Sequence, residues 1–291
     1  MNTLFYMTLK LTLLHRWVFN TLLDKTVTTG HSVFDPEKSS TFTPLDGFKF
    51  SIVYGDSSFA RGPVGIDTVD IGGATVTRQV IGLPSEVSDS FRKDQNSDGL
   101  LGLGFSSLST VEPRQQKTFF DNIAGDLGEP VFTAQLKHGA VGTYEFGQID
   151  SAKFRGDMVN VSIDNSRGFW EFKSTMFSIG NSSNIQTIAQ GAPSAIADTG
   201  TTLMLINTEI VEAYYAQVEG SQFSDRAGGF VFPCDAALPD LFVSVGDAHL
   251  AKIPGSFVNF AVVGRDAESE GSCELKTTHL SMFCPPHPRW R

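Results

Sequence analysis

The chain has 291 residues, a length that allows two lobes with cores of their own. Its 22 Lys and Arg against 32 Asp and Glu give a net charge of -10, and no basic stripe occurs, which argues against nucleic acid and anionic membranes as partners. Only 19% of the residues are charged, whereas Gly (28) and Phe (24) are abundant. This balance favours an all-β protein with many turns and an extracellular setting.

The first part of the chain predicts strands and turns. Residues 1–14 lack a basic start and a small-residue cleavage site, and Lys10 interrupts their apolar run, so they are not a convincing signal peptide. The run is also too short to span a bilayer. Strands are expected at residues 17–20 and 49–54, and the glycine pair at 72–73 predicts a hairpin between its apolar flanks.

Two stretches further along carry distinctive residues. Tyr54 stands before the turn Gly55-Asp56-Ser57-Ser58, which suits either a mobile arm over a cleft or an ordinary exposed hairpin. The glycine-spaced run 98–105 does not fit a nucleotide-binding loop because no third glycine follows, and close strand packing explains its glycines better. Residues 118–124 predict a short helix that stops at Gly125.

The stretch 195–206 contains Asp198-Thr199-Gly200 between two apolar runs, both expected to be buried strands. Asp198 is the single ionisable group of this stretch. A carboxylate among buried strands must be paired, hydrogen-bonded or functional. A turn without a chemical role is the alternative, because a three-residue motif alone also arises by chance.

The second half predicts one longer helix among strands. The helix is expected from Asn207 or Thr208 to Val218, with Gly220 ending it. Its expected inner face consists of Ile210, Val211, Tyr214 and Val218. Strands are expected at residues 168–172, 230–234, 241–245 and 253–261. Residues 277–291 differ from the rest because they have no strand alternation and contain three prolines in four residues.

The cysteines, the sequons and the absence of other motifs limit the cellular setting and the kinds of active site that the sequence allows. Cys234, Cys273 and Cys284 fit one disulfide and an odd thiol in an oxidising compartment, although three unrelated cysteines would give the same count. Sequons at Asn160 and Asn181 are compatible with secretion. The sequence has no zinc-protease motif, nucleophile elbow, Walker loop or His/Cys cluster at metal-ligand spacing, so neither a metal nor a cofactor is expected.

Several motifs in a fixed order make the chain resemble the pepsin-like aspartic endopeptidases, most closely the secreted fungal members. The resemblance runs from about Trp17 to Cys273. Each motif is weak alone, but their joint order is specific. The motifs are Trp17-Val18-Phe19-Asn20, Tyr54-Gly55-Asp56, Asp98-Gly99-Leu100-Leu101-Gly102-Leu103, Gly168-Phe169-Trp170, Ala197-Asp198-Thr199-Gly200-Thr201-Thr202 and Gly228-Gly229-Phe230-Val231-Phe232-Pro233-Cys234.

The resemblance implies an all-β, bilobal fold with a substrate cleft between two similar lobes, here residues 1–150 and 151–291. Each lobe of such a protein contributes one Asp-Thr-Gly. The two carboxylates share a proton and activate the water that hydrolyses a peptide bond at acidic pH. Polypeptides would then be the substrates, and the chain would be a secreted monomer.

The same resemblance assigns residues to roles. Asp198 would be the catalytic aspartate of the second lobe. Tyr54 would be the flap tyrosine, and Trp17 would steady it, while Asp56 and Ser58 would accept a substrate lysine in the pocket before the scissile bond. Cys234 and Cys273 would form the second-lobe disulfide. The residues implied to bind substrate are Trp17, Tyr54, Gly55, Asp56, Ser58, Gly200, Thr201 and Thr202.

Two departures from the family pattern matter. The first Asp-Thr-Gly should stand seven residues before Trp17, where this chain has Lys10-Leu11-Thr12, and the strand before it is expected to be missing. After Cys273, residues 277–291 replace the expected closing strands. These departures favour an incomplete or mis-spliced form of an active endopeptidase, inactive as it stands. A catalytically dead peptide-binding protein is the alternative, and a homodimer that pairs two Asp198 residues is disfavoured because the chain carries both lobes.

Overall fold

The described residues of this computed structural model form two compact units. The first unit holds those up to Met158 together with Asn165–Trp170 and Asp198–Gly200, and the second holds the others. The division predicted at residue 150 stays a prediction. The structure describes residues 16–137, 140–189, 193–200, 204–225, 229–233 and 235–258, and the backbone alone of residues 7–10 and 272–273.

The first unit is built on an eight-stranded sheet with the order β1-β7-β2-β5-β4-β3-β8, in which β6 pairs with β4. A separate antiparallel ribbon joins β9 and β10. The strands are β1 (Met7–Lys10), β2 (Arg16–Val18), β3 (Thr43–Val53), β4 (Phe59–Ile71), β5 (Ala74–Gly82), β6 (Glu86–Val87), β7 (Gly99–Gly102), β8 (Val111–Glu112), β9 (Phe132–Lys137) and β10 (Ala140–Phe146). The short helices are α1 (Lys25–Thr28), α2 (Asp89–Lys93) and α3 (Phe119–Ile123).

The second unit contains three smaller sheets, with the orders β11-β12-β15, β14-β13-β18-β19 and β16-β17-β20. Its strands are β11 (Ile163–Asp164), β12 (Glu171–Lys173), β13 (Met176–Ile179), β14 (Gln186–Thr187), β15 (Ser194–Ile196), β16 (Gln222–Ser224), β17 (Gly229–Pro233), β18 (Leu241–Val245), β19 (His249–Ile253) and β20 (Ser272–Cys273). Its helices are α4 (Thr208–Tyr215) and α5 (Gly255–Val258). Strands therefore dominate both units, and the all-β expectation is confirmed.

The β4–β5 hairpin and the β7–β2 contact show how glycine positions the large sheet. The predicted hairpin turns at Gly72 and Gly73, whose φ angles of 62° and 89° suit a two-residue turn. At Gly99 a β-carbon would lie 2.2 Å from the carbonyl oxygen of Trp17. Only glycine therefore lets β7 approach β2 this closely, as the packing explanation of the 98–105 run predicts.

Each unit has a core of its own. In the first unit, Trp17, Phe19, Phe50, Ala60 and Leu100 belong to one buried cluster. The core of the second unit gathers residues from α4 and from the sheets around it, namely Phe177, Ile179, Ile206, Ile210, Val211, Tyr214, Tyr215, Val218, Phe232, Leu241 and Val243. Among the described residues, no helix is long and apolar enough to cross a membrane.

Helix α4 forms as its sequence predicts, although it ends at Tyr215. The side chain of Asn207 accepts a hydrogen bond from the Glu209 amide, which makes Asn207 the N-cap. All four residues of the predicted inner face are buried. The chain leaves the helix through Gly220, which has a φ of 73°.

Three predicted strands differ from the structure. β19 ends at Ile253, because Pro254 has no amide hydrogen for the ladder, and α5 follows it. Residues 165–168 form a turn in which the Gly168 amide donates to the Asn165 carbonyl, and β12 begins only at Glu171. After the Asp198 stretch, Met204–Ile206 is not a strand, and Ile206 alone of these three is buried.

A strand does precede the position of the missing Asp-Thr-Gly, contrary to expectation. β1 alternates apolar Met7 and Leu9 with polar Thr8 and Lys10, a period-two pattern that suits a strand. It pairs in parallel with β7, from Met7 opposite Gly99 to Lys10 opposite Gly102.

Candidate active site

Asp198 lies in a turn that begins two residues after β15. This strand pairs with β12 and places Ala195, which is 2% exposed, opposite Phe172. The Asp198 carboxylate is exposed, and its Oδ1 accepts a 2.7 Å hydrogen bond from the Gly200 amide. The buried strand thus anchors one end of the turn, while the hydrogen bond orients the carboxylate toward its own backbone.

Trp17 and Tyr54, two residues predicted to bind substrate, are in direct contact. The indole Nε1 of Trp17 donates a 2.8 Å hydrogen bond to the Tyr54 hydroxyl. Both side chains are buried, at 1% and 6% exposure. Burial raises the pKa of the Tyr54 hydroxyl well above its ordinary value, so this group remains a neutral hydrogen-bonding partner at acidic and neutral pH.

Phe91 completes this aromatic contact and was missed by the sequence analysis. It lies on α2, where its ring meets Trp17 at 5.0 Å and Tyr54 at 5.4 Å between centroids, both edge-on. The edge-to-face arrangement favours both contacts. Residues 89–93 carry no distinctive motif, so only the fold brings Phe91 to this position. Trp17, Tyr54 and Phe91 are called the aromatic triad below.

The tip of the β3–β4 hairpin is closed by its own hydrogen bonds. The Tyr54 amide donates a hydrogen bond to the Ser58 carbonyl at 2.8 Å, and the Ser57 amide donates to the Tyr54 carbonyl at 2.9 Å. Asp56 Oδ1 accepts from both the amide and the hydroxyl of Ser58, at 2.9 Å and 2.6 Å. Gly55 and Asp56 are exposed, whereas Ser58 is buried. The hairpin tip therefore presents the Asp56 carboxylate to solvent, two residues after Tyr54 of the aromatic triad.

The backbone around β7 places position 10 at the end of β1, opposite the last residue of β7. β1 lies on one side of β7 and β2 on the other, so that Lys10 stands opposite Gly102 while Trp17 stands opposite Leu100. Asp198–Gly200 belongs to the same compact unit as these strands. Position 10 is the one at which the resemblance requires the first catalytic aspartate.

Three of the predicted site residues, Thr201, Thr202 and Cys234, lie outside the described part of the chain, and of Cys273 the backbone alone is described. The backbone of Cys273 pairs with Phe232 between β20 and β17. Within the residues whose side chains are described, no group of three or more His, Cys, Asp or Glu residues could hold a metal ion.

Comparison with known proteins identifies the family. The model of the eukaryotic aspartyl protease family matches residues 15–281. The chain is 60% identical over 253 residues to the aspartic protease PEP3 of Coccidioides posadasii, covering 87% of this chain and 57% of that protein. It is 59% identical over 248 residues to a protein of Aspergillus fumigatus named as an aspergillopepsin A-like aspartic endopeptidase, covering 85% and 58%.

A relative of lower identity has a name of the same kind. The chain is 44% identical over 248 residues to aspergillopepsin-1 of Aspergillus pseudoglaucus, covering 85% of this chain and 62% of the relative. The chain thus spans about three fifths of the length of these relatives. Since the family match covers most of the 291 residues, the chain belongs to the eukaryotic aspartyl protease family.

Proposed function

We propose that the chain belongs to a secreted aspartic endopeptidase that hydrolyses polypeptides at acidic pH, with Asp198 as one of its two catalytic carboxylates. The exposed Asp198 carboxylate, held by the Gly200 amide at 2.7 Å, carries this proposal. The names of the relatives, which are aspartic proteases and endopeptidases, support the same reaction.

The chemistry requires two carboxylates that share one proton. Two close carboxylates cannot both ionise easily, so one stays protonated while the other is a base. The ionised member takes a proton from a water molecule, which attacks the scissile carbonyl, and the protonated member gives its proton to the developing oxyanion. Because the pair titrates as a unit, the hydrolysis is expected to proceed at acidic pH, where one of the two carboxylates keeps its proton.

The hairpin and its aromatic triad would position the substrate. Tyr54 would cover the bound peptide, and its bond to Trp17 would fix the tyrosine in place. Gly55 at the tip, with Gly200, Thr201 and Thr202 after the catalytic aspartate, would supply further contacts to the peptide. The backbone groups of these residues would hydrogen-bond to the peptide backbone, which orients a peptide without selecting its side chains.

Asp56 and Ser58 are proposed to accept a lysine side chain of the substrate. The Asp56 carboxylate is exposed and already oriented by the Ser58 hydroxyl at 2.6 Å. An ammonium group is attracted to an oriented carboxylate, and the bond is stronger than a neutral one. Tighter binding of a peptide that carries lysine at that position than of its norleucine analogue, a difference that disappears in Asp56→Asn, would support this assignment.

Position 10 decides whether the chain as given can perform the reaction. Lys10 occupies the place of the first catalytic aspartate, and an ammonium group cannot share a proton with Asp198 in the required way. We therefore propose that these 291 residues bind peptides without cleaving them. This same observation favours the second candidate, a peptide-binding protein of the same family whose natural role needs no cleavage.

Peptide cleavage and inhibitor binding separate these outcomes. The purified chain is incubated with an unstructured protein substrate between pH 3 and 6, and binding of a transition-state-mimic peptide inhibitor is measured by calorimetry. Binding without cleavage is expected, with binding weakened in Asp198→Asn. Cleavage by the purified chain that is abolished in Asp198→Asn would contradict the proposal that the chain is inactive. The absence of both cleavage and inhibitor binding would contradict the proposed site.

Three further features are proposed from the family resemblance. The protein would be extracellular, it would act as a monomer, and Cys234 and Cys273 would form a disulfide. The pairing of β17 with β20, which sets Phe232 opposite Cys273, supports the disulfide because Cys234 lies two residues from Phe232. Peptide mapping without reduction should recover the two cysteines in one cross-linked fragment.

A further inference from the structure

A small cavity lies within the first unit and is lined by residues of β2, β3, β4, β5 and β8, among others. Its volume is about 20 Å³, room for one water molecule or one ion of similar size. Its described lining is Arg16, Phe50, Val64, Val80, Gly82, Ser109, Val111, Gln116 and Lys117. Polar and apolar groups line it in similar amounts, and none of the nine residues is acidic. Arg16 is the buried cation among them, whereas Lys117 is exposed and its backbone carbonyl faces Arg16.

Arg16 brings a buried charge to this cavity. The residue is 7% exposed, and its Nη2 donates a 3.0 Å hydrogen bond to the Lys117 carbonyl. Its Nε and Nη1 are buried and have no hydrogen-bond partner among the described residues. A guanidinium stays charged in proteins and carries five N–H donors, so most of its hydrogen-bonding capacity is unused here.

Among the described residues, no carboxylate forms a direct ion pair with Arg16. The Lys117 carbonyl also accepts a bond from Gln79 Nε2, at 3.3 Å, so this acceptor is shared. Asp121 lies close enough to influence Arg16 electrostatically, but its Oδ2 accepts from the hydroxyl of Ser106. The ring of Phe119 stacks 5.9 Å from the guanidinium carbon and adds a weaker attraction. A buried charge with one direct hydrogen bond is costly, and an anion beside it would offset that cost.

We infer that this cavity, called the Arg16 cavity, binds one small monovalent anion of the halide type. The Arg16 guanidinium selects an anion over a cation, and the small volume favours a single-atom ion over larger anions. Unused N–H groups of Arg16 would donate to the ion, and Ser109 and Gln116 line the same space with further polar groups. A water molecule would satisfy hydrogen bonds there but would not compensate the charge.

Bromide provides the direct probe because it scatters anomalously. Crystals of the protein are grown or soaked in sodium bromide, and anomalous differences are measured at the bromine absorption edge. The expected result is a peak inside the Arg16 cavity, within hydrogen-bond distance of an Arg16 nitrogen. A cavity with no anomalous peak at saturating bromide, whether it holds water or nothing, would overturn the inference.

Thermal unfolding in solution provides an independent test on the same protein. The melting temperature is compared in sodium chloride and in sodium gluconate at equal ionic strength, because gluconate is too large for the cavity. A ligand that binds only the folded state raises the melting temperature, and we expect a saturable rise of about 3 °C in chloride. Equal melting temperatures in the two salts would contradict the site.

Two variants assign the effect to Arg16. Arg16→Met removes the charge but keeps an apolar side chain of similar length, so the chloride effect should disappear. Arg78→Met removes an exposed arginine of the same sheet, and the effect should remain. If Arg16→Met does not fold, the bromide peak and the chloride shift of the unmodified protein still decide the matter.

Discussion

Trp17 donates a hydrogen bond from its indole nitrogen to the hydroxyl of Tyr54, 37 residues further along the chain, across a distance of 2.8 Å. The bond joins β2, next to the central strand of the large sheet, to the end of β3, where the exposed hairpin tip begins. Phe91 packs against both rings. The hairpin is therefore fixed at its base by buried aromatic contacts.

Removal of this bond should destabilise the protein. Tyr54→Phe leaves the buried indole N–H without its acceptor, and a loss of about 1–3 kcal/mol in the free energy of unfolding is expected. Urea unfolding of Tyr54→Phe, Trp17→Phe and the double variant gives the coupling energy. A coupling of about 1 kcal/mol is expected. A value indistinguishable from zero would mean that the hydrogen bond contributes nothing.

Substitution of Asn20, which directly follows the residue after β2, should lower the free energy of unfolding more than its place outside a strand suggests. Its side chain is fully buried, and its Nδ2 donates to the carbonyls of Val18 and Pro84, at 3.1 Å and 3.0 Å. Asn20→Ala leaves the Pro84 carbonyl without this donor, and a loss of about 2–3 kcal/mol is expected. Asn96→Ala, at an exposed position, is the control and should change unfolding by less than about 0.5 kcal/mol. Equal effects of the two substitutions would refute the structural role of Asn20.

The cap of α4 gives a prediction for the second unit. The Asn207 Oδ1 accepts a 2.9 Å hydrogen bond from the Glu209 amide. Asn207→Ala should lower the free energy of unfolding by about 1 kcal/mol, whereas Asn207→Asp should be close to neutral because aspartate also caps helices. Thermal unfolding of the three proteins measures this difference. A loss in Asn207→Asp as large as that in Asn207→Ala would indicate another role for the side chain.

Alkaline pH should destabilise the fold through its buried tyrosines. Burial raises the pKa of Tyr54 above its ordinary value of 10.0 and raises that of Tyr215 to about 12. Since the folded-state pKa is the higher one, their contribution is complete below pH 10 and is lost as the pH rises toward the folded-state value. Each such group lowers the free energy of unfolding by up to about 1.4 kcal/mol per pH unit in that range.

Urea unfolding at pH 9, 10 and 11 tests this dependence. The free energy of unfolding should fall more steeply above pH 10, and Tyr54→Phe should reduce the steepness by the share of one group. The difference in tyrosinate absorbance between the unmodified chain and Tyr54→Phe isolates Tyr54 from the other four tyrosines, and it should rise together with unfolding. If this difference appears with the fold intact, Tyr54 is accessible to solvent and the aromatic triad is wrong.

The local sequence predicts those elements whose signals are local. The hairpin at Gly72-Gly73 and the capped helix that follows Asn207 are both found, since turn glycines and capping side chains act within a few residues. The strand predicted at residues 253–261 is wrong over residues 254–258, because Pro254 cannot donate to a ladder and α5 follows it.

The site is predictable to a lesser extent. The resemblance to a family, rather than any periodicity, pointed to Tyr54 and Trp17, and the structure brings these two residues together. Phe91 and the unpaired nitrogens of Arg16 carry no sequence signal because their importance depends on residues far along the chain. Similarly, the missing Asp-Thr-Gly suggested that the strand before position 10 would be missing too, yet β1 leads into this position and pairs with β7.

The most direct measurement is the rate of acid-pH peptide cleavage by a variant carrying Lys10→Asp, Leu11→Thr and Thr12→Gly together, compared with the unmodified chain. If Asp198 is half of a catalytic pair and position 10 is its missing partner, the variant should cleave about 10³-fold faster or more, and adding Asp198→Asn should abolish the gain. Cleavage by the unmodified chain at the same rate as the variant, or activity that survives Asp198→Asn, would contradict this assignment.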